Sequence, residues 1–367
     1  MQTTRRNREA FKPMRPRRLR TAGQRTGLAL ALPLFFALQS CSAGITSLDV
    51  IDECEGLGFS AAPNPWFEAR GALVNIPMTL SALSAIVPMG DLNPPVHVYP
   101  TEHTYLALTN PAAGVAKLLA PAGGRVVRLY QPDDKDWTVV VQVDTSFFYY
   151  FGQIIPLANI TVGSQVQAGQ RLGRNSGLAP SVAFGVYNFN RTSSIGILNT
   201  CSARTLKYAD SPLKYFEGPT QQALYDLVKV QGLATKDGRI DYDESGKLVG
   251  NWVVAGSLPT KEPDKALAFV YNVRNHALRI SIGSSLAGGG VFAVQPGATD
   301  FALVMQGSGQ TNYRLFPTGV VDGGPPGAEI GVLAVQLISD GRIQVEFFPG
   351  ILASSPTFTG GALIYDR

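Results

Sequence analysis

Short runs of β-branched and aromatic residues follow one another along most of this chain, punctuated by glycine, proline and asparagine. Residues 137–143 (WTVVVQV) and 182–187 (VAFGVY) have the length of strands, and residues 124–130 (GRVVRLY) alternate as a half-buried strand does. The 39 glycines and 25 prolines supply the turns that such short segments need. The sequence therefore predicts an all-β fold of many short antiparallel strands.

The first forty residues have the composition of an export signal. Nine of the 31 Lys and Arg residues lie in the first 25 positions, and an apolar run follows at 27–38 (GLALALPLFFAL). That run is shorter than the ~20 residues of a membrane-spanning helix and is typical of a signal peptide. Residues 38–41 (LQSC) resemble a bacterial lipobox, which makes Cys41 the expected lipidated residue. An ordinary cleavage nearby, without lipid, is the alternative, and Arg17-Arg18 leaves twin-arginine or Sec export open.

The positive net charge of the chain, +4, arises from that leader, in which nine basic residues face one acidic residue. Removing residues 1–40 leaves 22 basic and 26 acidic residues. A nucleic-acid-binding protein carries a clustered basic surface, and no such cluster remains. We therefore expect an exported protein of the cell envelope, on the periplasmic or outer-membrane face, that contacts the membrane through its lipid and binds no nucleic acid.

The three cysteines divide into one lipidated residue and one pair. In an oxidising compartment the remaining Cys54 and Cys201 are expected to form a disulfide. Two buried free thiols are the alternative.

Four segments follow the predicted signal peptide of residues 1–40. Residues 41–71 are predicted to be a tether, residues 72–204 a β domain, residues 205–231 a linking helix region, and residues 232–367 a second β domain of sandwich or barrel type. In the linking region Pro219 suits the first turn of a helix. Two Asp-Gly segments, 236–239 (KDGR) and 339–342 (SDGR), predict tight hairpins.

Three segments of the first β domain, in order, resemble the lysostaphin/LytM-type zinc endopeptidases, which cut peptidoglycan cross-bridges. They are residues 119–126 (LAPAGGRV), 151–157 (FGQIIPL) and 162–173 (VGSQVQAGQRLG). Residues 182–186 (VAFGV) then stand where the family has the end of its H-x-H strand. The resemblance implies a LytM-like antiparallel β domain of the duplicated hybrid motif type.

The zinc ligands of that family are not carried over. The family holds zinc by a His and an Asp in H-x-x-x-D and by the second His of H-x-H. By resemblance His103 takes the first position, but Ala107 stands at the Asp and Ala183 at the second zinc-binding His. Ser181 replaces the other His of that pair, and Gln153 replaces the His of Y-x-H-L. Since a catalytic zinc needs three protein ligands, we expect no metal, no cofactor and no catalytic residue of the family.

Two interpretations of the family's former cleft stay open. It is either a remnant pocket, with the candidate residues His97, Glu102, His103, Tyr105, Gln153 and Ala183, or it is closed by a Pro-rich loop in which the histidines are hydrogen-bonded. The closed loop is favoured. For the aromatic run 147–151 (FFYYF), core packing is favoured over a sugar-binding groove.

Other chemical motifs are absent from the sequence. It has no phosphate-binding loop, no dinucleotide fingerprint and no G-x-S-x-G elbow. Residues 241–246 (DYDESG) resemble the start of a calcium loop, but Trp252 occupies the position of its bidentate glutamate.

The function that follows is that of an exported, non-catalytic, peptidase-like protein. By resemblance it would bind peptidoglycan or regulate a cell-wall hydrolase. Two alternatives stay open: an enzyme with a rebuilt site around His97, Glu102 and His103, and a purely structural envelope or assembly protein.

Overall fold

The computed structural model describes residues 60–95, 97–131, 136–195, 204–257, 262–318, 325–351 and 353–367. The predicted signal peptide, the predicted lipidation site Cys41 and the predicted disulfide pair Cys54 and Cys201 lie outside the described residues.

The first half of the described chain forms one antiparallel sheet. Its ten strands are β1 (Leu83–Val87), β2 (Thr104–Leu108), β3 (Lys117–Leu119), β4 (Gly124–Tyr130), β5 (Trp137–Asp144), β6 (Phe147–Pro156), β7 (Gln165–Val166), β8 (Arg171–Asn175), β9 (Ser181–Asn188) and β10 (Ala209–Asp210). The main path runs β1-β2-β9-β6-β5-β4-β7, with β10 beside β9, β8 beside β6, and β3 beside β8.

Strand β6 shows how the sequence builds this sheet. Phe147, Tyr149 and Phe151 point into the main core and are completely buried. Phe148 and Tyr150 point to the opposite face, where they form a smaller aromatic cluster. This alternation is the period of two that a strand imposes, and each core aromatic contributes roughly 1.5–3 kcal/mol of burial. All five residues of the run are buried, so core packing is confirmed, with the run divided between two clusters on opposite faces of the sheet.

The described residues include two short α-helices: α1 (Arg204–Tyr208), just before β10, and α2 (Gly218–Leu227), which follows the sheet. Pro219 lies in the first turn of α2, as predicted, and Leu224 packs into the main core. Helix α2 ends at Leu227. The next residue, Val228, has an extended backbone and forms a parallel bridge to Ile86 of β1. No helix within the described ranges is long and apolar enough to cross a membrane.

The second half closes into an eight-stranded antiparallel barrel. Its strands follow the chain order and are β11 (Gly250–Val254), β12 (Ala266–Tyr271), β13 (Leu278–Ile282), β14 (Gly290–Val294), β15 (Thr311–Pro317), β16 (Gly331–Ser339), β17 (Arg342–Pro349) and β18 (Leu363–Asp366). Strand β18 closes the barrel by pairing with β11. The all-β prediction is confirmed. Of the two forms predicted for the second domain, sandwich and barrel, the structure has the barrel.

Side chains fill the barrel interior. Trp252, Phe269, Tyr313 and Tyr365 are among the largest completely buried residues of the described chain. Eight strands leave an interior just wide enough for side chains of this size. The predicted hairpin at 339–342 joins β16 to β17, with Ser339 opposite Arg342.

Arg367 seals one end of the barrel. Its side chain is 6% exposed, and its guanidinium lies 4.1 Å from the centre of the Trp252 ring. Nη1 donates to the Val249 carbonyl at 2.7 Å and Nη2 donates to the Lys247 carbonyl at 2.7 Å.

Residues 89–95 and 97–101, here called the bridging hairpin, connect the sheet with the barrel. Asn93 and His97 exchange backbone hydrogen bonds of 3.0 Å near its tip. Tyr99 Oη donates to the Trp252 carbonyl at 3.0 Å. At its base Met89 forms a parallel bridge to Gly238. The predicted hairpin at 236–239 is therefore wrong: this turn pairs with the bridging hairpin instead of joining two strands of its own.

Candidate functional site

Strands β2 and β9 bring the family's zinc-ligand positions together. In their antiparallel register Tyr105 lies opposite Ala183 and Ala107 lies opposite Ser181. The residues between them, such as Leu106, point into the main core on the other side. Because alternate residues of a strand share a face, His103, Tyr105, Ala107, Ser181 and Ala183 lie on one face of the sheet. We call it the His103 face.

His103 itself is buried and poorly partnered. It is 6% exposed. Its Nδ1 lies 3.4 Å from Glu102 Oε1, an ion-pair distance without the geometry of a hydrogen bond. Its Nε2 has no hydrogen-bond partner among the described residues. Its ring instead meets those of Tyr105 and His97 edge-on, with centroids 4.6 and 5.4 Å away.

Glu102 is the charged centre of the cluster. It accepts a hydrogen bond from Tyr150 Oη at 3.3 Å. Burial acts to raise the pKa of the Glu102 carboxyl, but His103 and then His97 outweigh it, so that the pKa falls to about 2. The carboxylate is therefore ionised at every physiological pH.

Burial also shifts the pKa values of neighbouring groups. It lowers the pKa of His97, an effect that Glu102 opposes and His103 reinforces. Burial, together with the charge of Glu102, raises the pKa values of Tyr105 and Tyr150. Glu102 therefore supplies a fixed negative charge beside tyrosines that keep their hydroxyl protons.

Two tyrosines of this cluster were missed in the sequence. Tyr150 and Tyr187 stack with centroids 5.0 Å apart, and the Tyr150 ring lies 6.3 Å from that of His103. Gly185 makes room for the Tyr150 ring, which any Cβ at that position would overlap. The alternation of the 147–151 run was the signal that could have placed Tyr150 on the His103 face.

Gln153 lies beside this face at an irregularity in β6. Gly152 is opposite Ala183 in the register of β6 with β9, and Gln153 follows it with a positive φ of 64°. Such a backbone conformation is uncommon for a residue with a side chain. Its Oε1 is buried and has no hydrogen-bond partner in the described part of the chain.

The residues present do not fit the zinc that the family would hold. Of the three ligand positions, only that of His103 carries a ligating side chain, since Ala107 and Ala183 have none. Within the described ranges no three His, Cys, Asp or Glu side chains form a group that could hold a metal ion. Glu102 and His97 lie near His103, but these three side chains do not form such a group either, so the three protein ligands that zinc requires are not assembled here.

Comparison with known proteins gives partial structural matches. No family model and no curated protein matches the sequence. A protein named as a LytM-type glycyl-glycine endopeptidase from Ruminococcus gnavus is 19% identical over 23% of this chain and 38% of its own, with a TM-score of 0.21. Csd3 from Helicobacter pylori is 22% identical over 36% of this chain and 38% of its own, with a TM-score of 0.27. A zinc-containing peptidase from Vibrio cholerae is 18% identical over 34% of this chain and 37% of its own, with a TM-score of 0.25.

The prediction of a LytM-like domain is confirmed at this level. The matched structures include peptidases of the type that the sequence motifs resemble. This chain spans less than two fifths of the length of each of these three relatives. At TM-scores of 0.21–0.27 the matches assign neither an activity nor a ligand to it.

Proposed function

We propose that this chain is a non-catalytic, peptidase-like protein of the cell envelope that recognises peptidoglycan through the His103 face. One observation carries the proposal. The positions of the family's zinc ligands lie together on one sheet face, yet two of the three carry alanine. The sheet that would support the site is present, and the side chains that would perform the chemistry are not.

Loss of the ligands removes the family's mechanism. Zinc activates the water that attacks the peptide bond, and a polar side chain must move the proton. An alanine side chain can neither ligate a metal nor accept a proton. His103 alone cannot hold zinc, and no second imidazole replaces Ala183 on the strand beside it.

The groups that remain are suited to hydrogen bonding. His103 Nε2 and Gln153 Oε1 are buried polar atoms without a partner among the described residues. An unpaired buried polar group costs roughly 1–3 kcal/mol, which a ligand recovers when it supplies the partner. The ionised Glu102 carboxylate, 24% exposed, can accept from an amide or ammonium group. Peptide stems of the cell wall carry both kinds of donor.

The location of the protein is part of the proposal. Export follows from the composition of residues 1–40, and lipidation at Cys41 would hold the domain against the membrane. A regulator of a wall hydrolase would act at the same location. In that form of the proposal the partner is a protein instead of peptidoglycan.

The test is a sedimentation assay with purified peptidoglycan. The whole chain should sediment with it, the binding should survive EDTA, and no soluble wall fragments should appear. Glu102→Ala should weaken binding at least five-fold. Glu68→Ala, which removes an exposed carboxylate elsewhere, should leave it unchanged. No binding, or about one zinc per purified chain, would overturn the proposal.

A rebuilt enzyme is the second candidate, because the structure brings His97, Glu102 and His103 into contact. The low pKa of Glu102, about 2, counts against it, since a general acid or base works best when its pKa lies near the operating pH. Release of wall fragments by the chain, abolished by His97→Ala, would establish the enzyme and exclude the binding protein.

A further inference from the structure

A cavity of about 600 Å³ opens at the mouth of the barrel, where the bridging hairpin reaches it. Pro94 and Pro95 at the hairpin tip form one wall. Phe292, Pro317 and Ile330, with the connection from β13 to β14, form the other. None of the described residues that line it belongs to the His103 face.

The hairpin wall is fixed in place. Leu92 is buried in the barrel core, and Arg274 Nη1 lies 3.1 Å from Asp91 Oδ1. The paired backbones of Asn93 and His97 close the turn that carries the two prolines. The hairpin therefore does not need a ligand to hold its position.

The barrel wall is equally well defined. The Ser285 amide donates to the Asp264 carbonyl at 2.9 Å, and the Gly289 amide donates to the Leu286 carbonyl at 3.1 Å. Gly283 packs so closely on Asp264 that any Cβ would overlap the backbone there. Such a loop keeps its shape because its backbone groups are already paired.

The cavity stays at the mouth, because the interior of the barrel below it is filled. Phe269, Tyr313 and Leu315 are completely buried there. Protein interiors are close-packed, and voids larger than a water molecule are few. A preformed space of several hundred Å³ is instead in the range of small-molecule sites, about 300–1,000 Å³.

The lining determines which ligand could enter. None of the described lining residues is ionisable, and Ser284 has the only side-chain hydroxyl among them. A charged group buried here would lose its hydration without gaining a partner. Gly288 adds backbone that a ligand can approach closely, since a Cβ built there would meet nothing within 4 Å. We propose that this cavity binds one uncharged, mostly apolar small molecule.

The test uses N-phenyl-1-naphthylamine, an uncharged aromatic probe whose fluorescence rises in an apolar site. The whole chain should bind it saturably, one molecule per chain. Ser284→Trp places an indole in the cavity from an exposed position, so it should weaken binding at least tenfold without affecting the fold. Ser354→Trp adds the same indole at an exposed position away from the cavity and should bind the probe as the parent chain does.

A second variant tests the choice of an uncharged ligand. Pro95→Glu places a carboxylate at the exposed hairpin tip and should weaken binding at least five-fold. The proposal is overturned if the parent chain shows no saturable binding, if Ser284→Trp binds as tightly as the parent, or if Ser354→Trp weakens binding equally. If the cavity accepted only a side chain of a protein partner, the parent chain would show no saturable binding of the probe. Peptidoglycan binding is measured separately, so either proposal can fail alone.

Discussion

His103 in the sheet and Arg367 in the barrel are two basic side chains buried to the same depth. Their side chains are 7% and 6% exposed. The guanidinium of Arg367 donates to backbone carbonyls, faces a tryptophan ring and lies 3.7 Å from Asp243 Oδ1. The imidazole of His103 has no hydrogen bond with proper geometry. Two side chains of equal burial therefore differ in their hydrogen bonding: the guanidinium is satisfied, and the imidazole is not.

The surroundings of the two residues explain the difference. Arg367 joins loops around one end of a closed barrel, where every strand has two neighbours. His103 lies on a sheet face where alanine stands at the two other positions of the family's zinc ligands. The predictions below test this difference between the two residues, starting with the missing ligands.

The largest effect is expected from restoring the ligands. Ala107→Asp combined with Ala183→His places a carboxylate and an imidazole on the same face as His103. Zinc should then bind with micromolar affinity or better, which corresponds to about 8 kcal/mol or more. Metal analysis after dialysis should find about one zinc per chain.

The matched control is Ala107→Asp combined with Ser181→His. It adds the same chemical groups, but places the imidazole opposite residue 107 instead of opposite Tyr105. It should take up no zinc after dialysis. If the first double variant stays folded and takes up no zinc either, the assignment of this face to the family's zinc site is wrong.

The second largest effect is expected from Arg367→Ala. Its loss leaves four backbone carbonyls without this donor and Asp243 buried beside an empty space. Breaking one partner of a buried charged pair costs about 3–5 kcal/mol. Urea unfolding followed by tryptophan fluorescence should show this decrease in the free energy of unfolding.

Arg342→Ala is the control for that measurement. Arg342 pairs with Asp366 at 2.7 Å, but its side chain is 52% exposed. Exposed ion pairs contribute little to stability, so this variant should unfold at nearly the urea concentration of the parent. Equal destabilisation by both variants would show that the burial of Arg367 has no special role.

A third, smaller effect concerns pH. The Glu102 carboxyl has a pKa of about 2 in the folded chain against an ordinary 4.5, so the unfolded chain takes up the proton first as the pH falls. The free energy of unfolding should therefore decrease between pH 4.5 and 2, by on the order of 2 kcal/mol.

Glu102→Gln should remove that pH dependence, and Glu68→Gln, an exposed carboxylate, should keep it. The measurement is the urea midpoint at several pH values. An unchanged slope in Glu102→Gln would mean that His103 and His97 do not stabilise the carboxylate.

The smallest effect is expected for His103 itself once its charged neighbour is gone. In the Glu102→Gln chain, His103→Phe should change the free energy of unfolding by less than about 1 kcal/mol, because the two imidazole nitrogens make no hydrogen bond that would be lost. The same change should still reduce peptidoglycan binding. A decrease of more than about 2 kcal/mol in the free energy of unfolding would show that His103, like Arg367, is a structural residue.

Much of the fold and part of the site could be predicted from local patterns. Strand-length runs gave the all-β class, Pro219 marked the start of a helix, and the Asp-Gly pair at 340–341 marked a hairpin. The similar pair at 237–238 gave a wrong hairpin, because its glycine pairs with Met89 about 150 residues earlier in the chain. Turn chemistry predicts a turn and leaves open which strands flank it.

The sequence by itself determined the side-chain chemistry at each position of the site. Alanine at 107 and 183 excludes the family's zinc ligands whatever the fold, because a methyl group has no lone pair. Only the tertiary structure decided which groups share a face and which of them find partners. It placed Tyr150 beside Glu102, left His103 without a hydrogen bond, surrounded Arg367 with acceptors and opened a cavity between the bridging hairpin and the barrel. Burial and hydrogen bonding depend on contacts between strands far apart in the chain, and no local pattern encodes them.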